Sequence, residues 1–297
     1  MNDNPIVDTR AKPLWRKIWD FPLVAMVVAG FLCFVVAQIA GAMVPLTPPV
    51  RGFSAEMKFY VLAVLILVPL YIFVIARLGD PKRNDLRDPN WLRHLLLGLL
   101  GGTVLFSIAV AIAGLLGIYR IVGVGSLNGL LAALVVPTIG AAVLEEILFR
   151  GILFRWLEQF GGSWLALLLT SALFGAAHLG NPNASWIAAV GIAMEAGVML
   201  GAAYMLTRSL WLPIGIHAAW NFTQGQIYDI PVSGTDVEGF VDARLSGDPL
   251  LTGQGFGLEA SVIAITVATL FGLWLLRLAI RKGELKPPMW VKSRDAA

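Results

Sequence analysis

The chain has 297 residues, 58% of them apolar and only 14% charged, with a net charge of +3. Soluble domains carry about 25% charged residues, so this composition excludes a soluble globular protein and reads as a polytopic membrane protein. A single cysteine, Cys33, excludes an intrachain disulfide and a thiolate zinc site, and basic residues placed at the ends of apolar runs speak against a nucleic-acid partner.

Residues 1–20 form a polar segment with Arg10, Lys12, Arg16 and Lys17, followed by an uncharged run of 24 residues from Phe21 to Val44, which reads as a retained first span. A Pro/Gly-rich loop leads to a second span over about 59–76, and a linker, 77–93, carries five basic residues. The third span, about 95–118, is rich in Gly and Ala, as close helix packing in lipid prefers. A fourth run starts near Leu127 and stays helical to about Phe160, where Gly161-Gly162 breaks it. Runs five to seven, about 164–178, 184–206 and 209–228, are shorter or interrupted by polar residues, and an eighth span, about 258–276, precedes a basic tail.

The expected fold is therefore an all-α polytopic bundle of about eight transmembrane helices in the cell membrane. Of the Lys and Arg residues, 18 flank the side that holds the N-terminus and 4 (Arg51, Lys58, Arg120, Arg244) the other, which predicts N-in and C-in. The division is a cytoplasmic segment 1–20, N-terminal spans in 21–126, a core in 127–228, a polar extracytoplasmic loop in 229–257, and a last span with its tail in 258–297. The loop reads as a solvated connector of unknown role.

Charges at membrane depth cost roughly 2.5 to 3.5 kcal/mol each on insertion scales, so they mark function or structural pairing. The run Val143–Gly151 holds Glu145, Glu146 and Arg150; His178, Glu195, His217 and Asn221 are the other strong polar groups at similar depth. If 127–160 and 164–180 form an antiparallel pair turning at Gly161-Gly162, Glu145 and His178 are equidistant from the turn and level. Glu146 and Arg150, at i and i+4, share a helix face and pair, which leaves Glu145 free. His217 and Asn221 share a face for the same reason. Ala141, Ala142, Gly175 and Ala176 either leave room for substrate and water or serve tight packing.

Glu145-Glu146-Ile-Leu-Phe-Arg150 fits E-E-x-x-x-R, Phe174-Gly-Ala-Ala-His178 fits F-x-x-x-H, and His217-Ala-Ala-Trp-Asn221 fits H-x-x-x-N. These three motifs, in this order and over about 127–222, resemble the CAAX protease and bacteriocin-processing (Abi) family of intramembrane endopeptidases, which includes type II CAAX prenyl endopeptidases. The resemblance implies a peptidase acting on a membrane-associated peptide or protein. It implies that Glu145 and His178 activate a water, that Arg150 holds Glu146, and that His217 and Asn221 stabilise the oxyanion.

No cofactor is expected to be obligatory, although Glu145, His178 and His217 leave a zinc site open. The catalytic pocket is expected to open towards the cytoplasm between spans four and seven. No family role falls on Glu195, which reads equally as a relay carboxylate, a partner of the histidines or a group beside internal water. The rival classes are a proton-coupled transporter and a non-catalytic scaffold or immunity protein. The first predicts repeat symmetry between halves, which the sequence does not display.

Overall fold

A computed structural model describes residues 13–79 and 81–291. Arg10 and Lys12 of the first segment, and Lys292 and Arg294 of the tail, lie outside the described residues. The architecture is helical with one small ribbon: α1 Leu14–Trp19, α2 Pro22–Met43, α3 Ala55–Phe73, α4 Trp91–Leu115, α5 Leu130–Gly180, α6 Trp186–Thr207, α7 Trp211–Phe222 and α8 Val262–Arg281. Among the described residues six helices, namely α2 to α6 and α8, are long and apolar enough to cross a membrane. Their outward faces carry exposed Val27, Phe31, Leu65, Leu100, Leu168 and Leu270, an apolar surface far larger than soluble monomers tolerate.

α5 is one helical run of 51 residues only by connectivity, because Gly162 has φ +82 and turns the chain back. Phe149 and Phe174, equidistant from that turn, meet edge to face with ring centroids 4.8 Å apart. The two arms of α5 are thus level where the sequence argument requires. With α7, they bring the number of rods to eight.

α4 lies along α7 at backbone distance, the step that positions His217 and Asn221. A Cβ on Gly98 would stand 2.5 Å from the Leu212 carbonyl oxygen, and one on Gly102 would stand 2.3 Å from that of Ile216. The Gly-x-x-x-Gly spacing puts both on one face, and close approach recovers dispersion contacts that lipid cannot supply. Phe106 then packs edge-on to Trp220, centroids 5.0 Å apart.

Phe21 and Trp290 both pack on Phe160, at 6.0 and 5.5 Å, so the two ends of the described chain share one end of the bundle. That end is closed by polar ties: Arg155 donates to the Arg83 carbonyl at 2.6 Å, and Arg208 pairs with Glu158 at 2.6 Å and Glu284 at 2.9 Å. At the opposite end β1, Tyr119–Val124, pairs antiparallel with β2, Val241–Leu245. The ribbon ties loop 229–257 to the end of α4, so the loop is packed structure and not a free solvated connector.

Candidate active site

Four stretches widen to π-helical spacing: Leu134–Ala141, Ile147–Phe154, Ala193–Gly197 and Thr223–Ile227. The first two bracket Glu145 and Glu146, the third holds Glu195, and the fourth follows Asn221. Such widenings concentrate at functional sites because they reaim side chains and loosen the backbone ladder.

Glu146, with no exposure, and Arg150, 1% exposed, form a buried ion pair at 2.7 Å. Arg150 also donates Nη2 to the carbonyls of Ala196 and Gly197 at 3.1 and 3.3 Å, and lies 4.7 Å above the Phe174 ring. One residue thereby ties both arms of α5 to α6. The same carboxylate oxygen, Glu146 Oε1, also faces Nδ1 of His217 at 3.0 Å. The carboxylate set aside by the sequence as structural thus also orients a histidine.

Among the described residues Glu145 has no such partner, and its buried Oε2 has none. It lines a cavity of about 610 Å³ together with His178, His217 and Asn221. His178 donates Nδ1–H to the Phe174 carbonyl at 2.7 Å, which leaves the Nε2 lone pair of the neutral ring as an acceptor. His217 instead gives Nδ1–H to the Glu146 carboxylate; in the imidazolium form that a carboxylate partner stabilises, Nε2 is a donor. Asn221 gives one amide hydrogen to the Pro137 carbonyl at 2.8 Å and keeps the second. The cavity therefore combines an acceptor histidine and a free carboxylate with a donor histidine and a donor amide.

The sequence reasoning missed three contributors. Glu259, 3% exposed, accepts from the Ser233 backbone N–H and, with Glu195, Ser233, His217 and Asn221, lines a second, smaller pocket of about 30 Å³ that shares Ser233, His178, His217 and Asn221 with the main cavity. That volume holds about one or two waters. Burial pushes the Glu259 carboxyl up to about 7, against the opposing pull of its hydrogen bonds to Ser233 and Gln224. The signal was there: the eighth span starts at Val262, so Glu259 is a carboxylate at the mouth of an apolar run. Tyr60 and the tight hairpin Val232–Thr235 also line the main cavity, but nothing local in their sequence marks them. Ser233 sits in the left-handed region at φ +47, a conformation worth on the order of 1 kcal/mol of strain that its surroundings impose.

Two expectations change. The mouth of the cavity is framed by Ser54, Glu56, Gly129, Asn181, the hairpin residues Val232, Ser233 and Thr235, and Asp236 to Glu238 after it, at the end of the bundle opposite Arg83, Arg155, Arg208 and Lys286. Under the N-in arrangement the opening faces away from the cytoplasm, not towards it. The reason is loop packing: the segment read as a connector folds over the site. Of the small residues, only Ala141 lines the cavity. Ala142 is core, Ala176 is exposed, and a Cβ on Gly175 would stand 2.1 Å from the Ala189 carbonyl, which makes Gly175 a packing position.

Residues 127–223 match the Rce1-like family, type II CAAX prenyl endopeptidase. The motif resemblance is thus supported over the stretch that carries it. No curated protein and no solved structure matches the chain. The Rce1-like stretch contains Glu145, Glu146, Arg150, His178, Glu195, His217 and Asn221, whereas Tyr60, the hairpin and Glu259 lie outside it. The match spans about a third of the chain, and over that stretch the chain is similar to CAAX-type prenyl endopeptidases. As for zinc, among the described residues no group of three or more His, Cys, Asp or Glu side chains is arranged to hold a metal ion.

Proposed function

We propose that the protein is an intramembrane endopeptidase that hydrolyses a peptide bond of a membrane-associated protein or peptide with a water activated by Glu145 and His178. The observation that carries this reading is that Glu145, with a buried oxygen lacking any partner among the described residues, shares one cavity with His178, His217 and Asn221. Water approaching the carboxylate gives its proton to Glu145 while His178 Nε2 accepts from the same water and aligns it. The hydroxide equivalent adds to the scissile carbonyl, and the oxyanion is met by His217 Nε2–H and the second amide hydrogen of Asn221. The proton taken from water passes to the leaving amine as the C–N bond breaks. Glu146 and Arg150 position His217 and brace the helices. No metal takes part in these steps.

The Rce1-like match makes C-terminal CAAX-type processing one substrate class to test. The experiment is cleavage of an internally quenched CAAX-type peptide library, prenylated and unprenylated, by purified protein in detergent. Glu145→Ala and His178→Ala should each lower kcat by at least about 10²-fold while leaving the elution profile of folded protein unchanged. A chelator should leave cleavage intact. Cleavage that persists in both variants would remove the mechanism, and chelator inhibition reversed by added zinc would remove the metal-free version of it.

A further inference from the structure

The ionisable side chains that line the main cavity are Glu56, Glu145, Asp236, Glu238 and the two histidines; among the described residues no lysine or arginine lines it. Glu56, Asp236 and Glu238 are exposed and ring the mouth, while Glu145 lies at the inner end. The four cations of this end of the molecule are turned elsewhere. Lys58 donates to the Pro48 carbonyl at 3.0 Å, Arg120 and Arg244 face each other across the β-ribbon, and Arg51 is exposed in the loop before α3.

The mouth is preformed. Hairpin residues Ser233 and Gly234 are held by the side chains of Asn181 and Asn183, at 3.1 and 3.3 Å, and by Glu259. Inside, nine-tenths-buried His217 and Asn221 line the space, and among the described residues nothing hydrogen-bonds to His217 Nε2 or Asn221 Oδ1. A cavity of about 610 Å³ lies within the range of ligand sites, room for a short run of peptide between the Pro137–Ala141 wall and the hairpin.

We propose that this cavity selects a cationic peptide segment, with lysine or arginine side chains meeting Glu56, Asp236 and Glu238 while the backbone runs in to Glu145. The inference rests on the peptidase reading and narrows its substrate class. A free C-terminal carboxylate, which removal of the last few residues of a chain would place inside, passes the carboxylates of Glu56, Asp236 and Glu238 on the way and meets no lysine or arginine of the lining. A cavity walled by one sign of charge in a low-dielectric surround concentrates ligands of the opposite sign and repels its own. The mouth also lies at the end away from the cytoplasmic basic cluster, so the segment arrives from the extracytoplasmic side.

The test uses two fluorescent peptides that share an apolar core of six residues and differ in flanking Lys-Lys or Glu-Glu. Binding is read by anisotropy on full-length Glu145→Ala protein in uncharged detergent, and cleavage on wild type. The Lys peptide should bind about tenfold more tightly at 20 mM salt, with the gap closing at 0.5 M as screening shortens to a few ångströms. Asp236→Lys/Glu238→Lys, both at exposed positions, should erase or invert the preference. Equal binding of the two peptides, including no measurable binding of either at millimolar concentration, overturns the proposal, as does a preference untouched by the double reversal. Selective binding without cleavage by wild type would leave this inference standing and sink the peptidase reading. Cleavage that needs Glu145 but ignores peptide charge would do the reverse.

Discussion

Replacing Arg150 by methionine should be among the most damaging single changes in the molecule, and the size of the damage should depend on Glu146. Methionine keeps the length and the contact with the Phe174 ring but removes the 2.7 Å pair and the two donations to the Ala196 and Gly197 carbonyls. Stranding one member of a buried pair costs about 3 to 5 kcal/mol. Two mid-helix carbonyls that lose their second donor add about 0.5 kcal/mol each. Glu146→Gln alone leaves the guanidinium unneutralised, at about 3 kcal/mol on the same grounds. In Glu146→Gln/Arg150→Met neither charge of the pair is left, and the glutamine oxygen still accepts from His217 Nδ1, so the double variant should cost only about 2 to 3 kcal/mol. The cycle closes on a coupling of several kcal/mol. The measurement is unfolding by SDS in mixed micelles for the four proteins. Additive costs, agreeing within about 0.5 kcal/mol, would refute the claim that the pair acts as one neutral unit.

The remaining expectations concern the oxyanion, a pH response and helix packing. His217→Ala and Asn221→Ala should each lower kcat about 10²-fold with a smaller change in KM, because their donors act on a charge that exists only at the transition state; a pure KM effect would reassign them to binding. Glu259 titrates near 7 in the folded protein against an ordinary value of 4.5. Below about 4.5 it is protonated in both states and carries no penalty, and between 4.5 and 7 the unfolded chain releases the proton that the fold retains, so stability falls as pH rises. The full loss is roughly 3 kcal/mol, and Glu259→Gln should flatten the dependence of Tm on pH between 4.5 and 8. An unchanged slope would place the titration elsewhere. Gly102→Ala should cost about 1 to 3 kcal/mol through the Ile216 carbonyl. Gly101→Ala, whose Cβ would meet only Ile216 Cγ1 at 4.0 Å, should change stability by less than about 0.5 kcal/mol. Equal effects would mean that the α4–α7 contact is looser than drawn.

Much of the fold and part of the site were legible in the chain itself. Hydropathy and length determine the spans, because lipid forces every backbone group into a helix. The i, i+4 spacing alone pairs Glu146 with Arg150, and symmetry about Gly161-Gly162 alone sets Glu145 level with His178. These are short-range consequences of helix geometry, and local sequence carries them. What it could not carry is anything decided by segments distant in the chain. Glu146 reaches His217 across 71 residues, and Ser233 reaches Glu259 from a loop that composition describes only as polar. Small residues say that something comes close without saying what: Gly175 meets a helix backbone, whereas Ala141 faces open space. The π-helical widenings leave no sequence period of their own. The direction of the opening belongs to the same class. Charge counts orient the bundle, but which end of it is roofed by the 232–238 segment depends on how that loop packs against Asn181, Asn183 and Glu259, and only the assembled tertiary structure holds those contacts together.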